Sequence, residues 1–201
     1  CSLVGSEMCI RDSIDSETEK EKVILRSLNP GETFLIGTHE FIILKQGYDF
    51  TKVISKNLMA RDVQFDENTG DYNKSALKQY VDKKIRPIIL KNVGEENLIK
   101  ESVPLTSLDN QTEFINCICD VRPLTFDEVR EYNNLLVNND LPNCYWTITP
   151  WSIAGREWEY CRCLVVVAPS GYIFGRSCND NRGVRPLCTL KSNIFVQRGE
   201  K

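Results

Sequence analysis

Trp146-Thr147-Ile148-Thr149-Pro150-Trp151 and, further on, Gly183-Val184-Arg185-Pro186 bracket the part of the chain that decides the fold. Between them lie an apolar run, Cys161 to Ala168, and an Asn/Asp/Arg-rich stretch, Cys178 to Arg182. Alternation predicts that the run is a strand with Cys161, Cys163, Val165 and Val167 on one face. Pro169-Ser170-Gly171 predicts a turn, after which Tyr172 to Arg176 pairs back. Ser177 to Gly183 then reads as a loop and Val184 to Leu190 as a returning strand. Pro186 has no N–H to give a ladder, so its place in that strand predicts an edge or a bulge. Tryptophans and an arginine around a compact β segment suit a binding face or its scaffold. They do not suit a catalytic triad or a nucleotide loop.

Working outward, Leu124-Thr125-Phe126-Asp127-Glu128-Val129 is the best local signal. Thr125 can cap a helix, Glu128 can reach back to the capping residue's amide, and Leu124 with Val129 supplies a hydrophobic staple. This helix should run to about Leu136, with Asn138 to Asn143 ending it. An earlier helix should begin at Asn73 or Ser75, since Leu77, Tyr80, Val81, Lys84, Ile85 and Ile88 follow helical spacing. Pro87 should kink or end it. Thr33 to Ile36 and Glu40 to Leu44 flank Gly37-Thr38-His39 and predict a hairpin. Val53 to Met59 reads as a further strand or turn, Asp66 to Tyr72 as a polar loop, and Glu95 to Asp109 as mixed loop and short strand. Glu17 to Leu28 reads as a short helix or arm, stopped by Asn29-Pro30-Gly31.

Val4 to Ser13 reads as the translation of a transposon-based sequencing-library adapter. Residues 1–13 are therefore set aside from fold reasoning. Residues 14–30 are expected to form the arm, and residues 31–201 a single domain, preceded in the native protein by sequence not seen here.

The chain has 201 residues, with 25 Lys+Arg against 28 Asp+Glu and a net charge of −3. That length allows one domain with a real core. The mildly acidic, mixed surface argues against a nucleic-acid partner, which calls for a basic face. No apolar run approaches the ~20 residues that a membrane-spanning helix needs. Of nine cysteines, seven lie beyond residue 13. An odd number excludes a fully paired disulfide framework, and buried or free thiols are the default.

Trp146 reads as core. Trp151 and Trp158 are balanced between packing and binding, because polar residues surround them. Arg156, Trp158, Tyr160, Tyr172, Arg176, Asn179, Asp180, Asn181 and Arg182, with Trp151, form the expected ligand-binding patch. Arg185 reads as a structural guanidinium whose fixed fork holds loop carbonyls or a buried carboxylate. Cys117/Cys119 and Cys161/Cys163 each put two thiols on one side of a strand. Two such strands side by side would offer four thiolates to zinc, but the spacing is narrower than usual and buried cysteine is the simpler reading. His39, the only histidine, falls in a predicted turn, which disfavours a Ser-His-Asp or Cys-His site. Cys178 to Asn181 has one acidic residue, Asp180, a poor set for calcium. No cofactor and no metal is expected.

The order of Gly31 to Gly37, Ser75-Ala76-Leu77, Leu124 to Glu128, Trp146 to Pro150 and Gly183 to Pro186 resembles a bacterial and phage domain family of unknown function. The resemblance spans roughly residues 29–196. That family is similar in turn to the C-type-lectin-like fold, in the branch that holds formylglycine-generating enzymes and phage variable proteins. The resemblance implies an α+β domain with a twisted antiparallel sheet, two flanking helices and a loop-rich face for a protein or glycan ligand. It makes Trp146, Pro150, Gly183, Arg185 and Pro186 the structural motif. Several members of the broader fold are diversified by retroelements that rewrite adenines in the C-terminal coding region, and Asn179 and Asn181 are the kind of position expected to vary. It also implies two alternatives to a non-enzymatic binding domain. One is an oxidase like the formylglycine-generating enzymes, with Cys161, Cys163, Cys178 and Cys188 as candidate thiols. The other is a structural module of a larger protein. The calcium-dependent sugar motif of true C-type lectins is absent. Fold does not fix function.

Overall fold

The computed structural model describes residues 22–153 and 162–199. Residues 1–21, which hold the adapter-like stretch and the start of the expected arm, and Arg156, Trp158, Tyr160 and Cys161 lie outside that range.

The chain is a mixed, sheet-rich α+β structure. Its strands are β1 (Lys22–Ile24), β2 (Thr33–Ile36), β3 (His39–Gln46), β4 (Phe50–Ser55), β5 (Ala60–Gln64), β6 (Glu101–Val103), β7 (Cys117–Cys119), β8 (Val121–Arg122), β9 (Tyr145–Pro150), β10 (Cys163–Val167), β11 (Ile173–Ser177), β12 (Asn181–Val184), β13 (Leu187–Lys191) and β14 (Phe195–Arg198). The helices are α1 (Ala76–Tyr80), α2 (Arg86–Val93) and α3 (Phe126–Leu136). A seven-stranded sheet has the order β1-β14-β2-β3-β4-β13-β8, a five-stranded sheet β11-β10-β9-β12-β5, and β6 pairs with β7 alone. Pairing is antiparallel except where β12 meets β9.

The apolar runs explain how the layers stack. In β3, Phe41 and Ile43 enter one buried cluster, and Ile42 and Leu44 the other. A strand buried on both faces reads as a continuous hydrophobic run. The first cluster also takes Leu77, Val81, Ile85 and Ile89 from the broken helix, with Trp146 and Ile148 from β9. The second takes Leu124, Val129, Tyr132 and Leu136 from α3 and its approach. Among the described residues only α3 is a long uninterrupted helix, so the expected pair of flanking helices holds loosely.

The hairpin and the second helix fall where the sequence places them. Thr125 Oγ1 accepts from the Glu128 N–H at 3.2 Å while Glu128 Oε2 accepts from the Thr125 N–H at 2.9 Å, a complete capping box. Val53 to Met59 resolves into the end of β4 and a turn.

Five expectations need correction. Residues Lys22–Ile24 form a strand paired with β14, followed by a 3₁₀ turn at Leu25–Ser27, and not a helix. Pairing with a distant strand wins over weak local helix propensity there. Pro87 does not end its helix. A π-helical turn, Val81–Ile85, precedes α2 and accommodates a ring that would clash with the carbonyl four residues back. The loop after β11 is shorter than expected, because Asn181–Val184 pairs with β5. Pro186 lies in no strand. With Arg185 it makes the step by which the chain leaves the five-stranded sheet at β12 and enters the seven-stranded sheet at β13. His39 opens β3 opposite Ile36 and is not in the turn proper.

Candidate functional site

Of the expected patch, the structure brings Tyr172 and Arg176 together and supplies a residue that was missed. Tyr172 lies just before β11 and alternates with Phe174 and Arg176 within it, so the three share one face. The Tyr172 and Phe174 rings are stacked, with centroids 5.6 Å apart and planes 18° apart. The Arg176 guanidinium lies 4.7 Å from the Phe174 centroid on a cation–π contact. Phe174 is partly buried against the first core cluster, whereas Tyr172 is 67% exposed. The result is a short ladder, anchored at its middle ring and open at both ends. Alternation around Phe174 was the signal that would have added it.

Trp151 belongs to the opposite face. It is half-buried, its N–H donates to the Cys163 carbonyl at 2.7 Å, and its ring lies over Gly175. A Cβ at 175 would come within 2.9 Å of Trp151 Cε3, so glycine is what admits the indole. Asn179, Asp180, Asn181 and Arg182 follow directly on β11. The Asp180 N–H donates to the Ser177 carbonyl, and Asp180 Oδ2 accepts from Arg182 Nη2 at 2.9 Å. Arg182 also donates to the Asn181 carbonyl. Asn179 and Asn181 are exposed. The turn is thus held from within by its own ion pair, with two amide side chains displayed.

The motif residues are interior. Trp146 is fully buried, meets Phe65 edge-on at 5.7 Å and donates its indole N–H to the Val63 carbonyl at 2.7 Å. Arg185 is also fully buried. Its Nε donates to the Ser55 carbonyl and Nη1 to the Leu136 carbonyl, each at 2.7 Å, and Nη1 reaches Tyr145 Oη at 3.3 Å. Burial lowers its pKa, and the Tyr145 neighbour opposes that. Gly183 abuts Leu58, where a Cβ would lie 2.5 Å from Leu58 Cδ1.

A second feature, announced by no local pattern, is a cleft of about 520 Å³ beside the start of α3. At its base Arg122 makes a two-pronged pair with Glu128, at 2.6 and 2.7 Å. Lys52 donates to Glu128 at 2.8 Å, and Glu101 accepts from Arg122 at 3.2 Å. Burial pushes the Glu128 carboxyl up, but the Arg122 hydrogen bonds, the Arg122 charge and Lys52 outweigh it and hold the group at about 2. Two cations and two carboxylates balance, so this network ties β4, β6, β8 and α3 together.

Of the two cysteine pairs, Cys117/Cys119 is described in full and Cys163 without Cys161. Cys117 and Cys119 are buried on β7, which pairs only with β6, while Cys163 lies in the five-stranded sheet. Burial raises the thiol pKa of both Cys178 and Cys188. Among the described residues no three His, Cys, Asp or Glu side chains are placed to share a metal ion, and no helix is long and apolar enough to cross a membrane.

Comparison of the chain with protein-family models, with characterised proteins and with solved structures returns no match.

Proposed function

We propose that this chain is a non-enzymatic recognition domain of C-type-lectin-like type, which takes a protein or glycan ligand on the rim formed by β11 and the turn after it. The observation that carries this reading is the Tyr172–Phe174–Arg176 ladder. An exposed aromatic ring and a guanidinium, held by packing on a strand, are the usual anchors of recognition surfaces. The turn that follows β11 displays the amides of Asn179 and Asn181. The strictly interior positions, Trp146 and Arg185, serve as its frame. A phage or bacterial surface setting, with the displayed positions diversified, accords with this division.

The test uses the full chain and its Tyr172→Ala and Arg176→Ala variants, probed on a glycan array and with a displayed random-peptide library. Both side chains are exposed, so each change should alter stability by no more than about 0.5 kcal/mol. Loss of the bound signal with an unchanged melting temperature is expected. Binding that persists in both variants places the ligand elsewhere and removes this face.

A further inference from the structure

We infer that the ligand is an extended, acidic peptide segment of a partner protein, added as a sixth strand along the free edge of β11. This rests on the recognition reading above and commits it to one kind of ligand and one geometry.

The hydrogen-bond pattern of β11 defines the edge. β10 and β11 run antiparallel in an unbroken register, from Cys163 opposite Ser177 to Val167 opposite Ile173. The Ala168 N–H donates to the Tyr172 carbonyl at one end, and the Cys178 N–H to the Arg162 carbonyl at the other. Directly opposed residues in an antiparallel pair alternate between bonded and non-bonded. Tyr172, Phe174, Arg176 and Cys178 therefore bond inward to β10. Ile173, Gly175 and Ser177 turn their N–H and C=O groups away from it. The Ser177 carbonyl is taken by the Asp180 N–H. Three donors and two acceptors remain, spaced for another strand, and among the described residues β11 has no outer neighbour.

The other sheet edges lack this. Among the described residues β1 has three and β8 two, and β6 and β7 have three each. β5 is interrupted at Asp62, whose φ is 54°, and its register with β12 slips. Short, bent or bulged edges are how proteins avoid unwanted pairing. β11 is five residues long, regular and free of proline.

Charge selects the partner. Arg176 and Arg162 are both exposed, and by alternation Arg162, opposite Cys178, shares the Arg176 face. A second copy of this chain, paired about Gly175, would gather four arginines on one face of the joined sheet. An acidic peptide meets opposite charge instead. In strand addition main-chain bonds supply affinity and alternate side chains supply selection. Here the Tyr172–Phe174–Arg176 ladder would do the selecting.

Native Cys163 permits a decisive backbone edit. A recombinant 1–162 thioester joined to a synthetic 163–201 peptide can carry N-methylglycine at position 175. This removes one outward N–H and leaves every bond to β10 intact. The probe is the peptide enriched from a displayed random library on the unmodified chain. We expect an acidic consensus, slowed amide exchange at Ile173, Gly175 and Ser177 on binding, and at least a roughly tenfold weaker affinity after N-methylation. Arg176→Glu should also weaken binding. If N-methylation leaves affinity unchanged while Tyr172→Ala and Arg176→Glu abolish it, strand addition is wrong and the recognition face survives. If no peptide is enriched but a glycan binds, or if the chain dimerises through β11, the inference is overturned. If all three variants bind as the parent does, the recognition face itself is lost.

Discussion

Replacing Glu128 by Gln should cost about 3 kcal/mol at neutral pH, and that cost should vanish in acid. Glu128 is 8% exposed and lies between Arg122 and Lys52. Its carboxyl is held at about 2 against an ordinary 4.5. At ~1.4 kcal/mol per unit, this gap corresponds to about 3 kcal/mol favouring the folded state when the group is ionised. Removing one partner of a buried ion pair gives a similar range, ~3–5 kcal/mol, because the other charge is left behind. Gln keeps the side-chain length and an acceptor for the Thr125 N–H, so the capping box is little disturbed. A depressed folded-state pKa stabilises above the unfolded value and loses that stability as pH falls through the folded value. The parent should therefore weaken from about pH 5 down to about pH 2 relative to Glu128→Gln, which has nothing to titrate there. Urea unfolding of both proteins across this range is the assay. A deficit below ~1 kcal/mol at pH 7, or a difference that stays constant into acid, refutes the reasoning.

Thr125→Ala removes only the capping hydroxyl and should cost ~1 kcal/mol by urea titration, with α3 still formed by circular dichroism. Trp146→Phe leaves the Val63 carbonyl without its donor and opens a void beside Phe65. A loss of about 2–4 kcal/mol is expected, and a thermal midpoint equal to the parent's would show that the indole bond is dispensable. Arg185→Lys keeps the charge but loses the fork that spans Ser55 and Leu136. It should cost about 2–4 kcal/mol, and a cost under ~0.5 would contradict the clamp.

Local signals proved most legible in the sequence. The capping box before α3 and the hairpin of β2 and β3 depend on residues within a turn of one another, and both appear where their residues predict. What depends on distant partners did not show. Lys22–Ile24 becomes a strand only because Phe195–Gln197 lies beside it. Asn181–Val184 pairs with β5, more than a hundred residues earlier, so its polar start reads as loop. The cleft at α3 was invisible for the same reason. Lys52, Glu101, Arg122 and Glu128 come from four elements, and only Glu128 carried a local pattern, which pointed to capping. In the expected patch, alternation was enough to pair Tyr172 with Arg176. It could not show that Trp151 would pack over Gly175 on the other side.

The step at Arg185 and Pro186 explains why a display rim can sit on this frame. β12 belongs to one sheet and β13 to the other, so the chain must cross between them within two residues. A crossing exposes backbone carbonyls inside the core, and buried carbonyls need donors. Arg185 supplies them to Ser55 at the end of β4 and to Leu136 at the end of α3, and touches Tyr145 at the start of β9. One side chain thereby fixes both sheets and the long helix. Proline has no N–H to give either ladder, while its carbonyl still accepts from the Ser55 N–H. Because the frame is locked at this point, substitutions at Tyr172, Arg176, Asn179 or Asn181 reach no buried hydrogen bond of the clamp. That independence of displayed from interior positions is what a recognition surface requires if its specificity is to change while its fold does not.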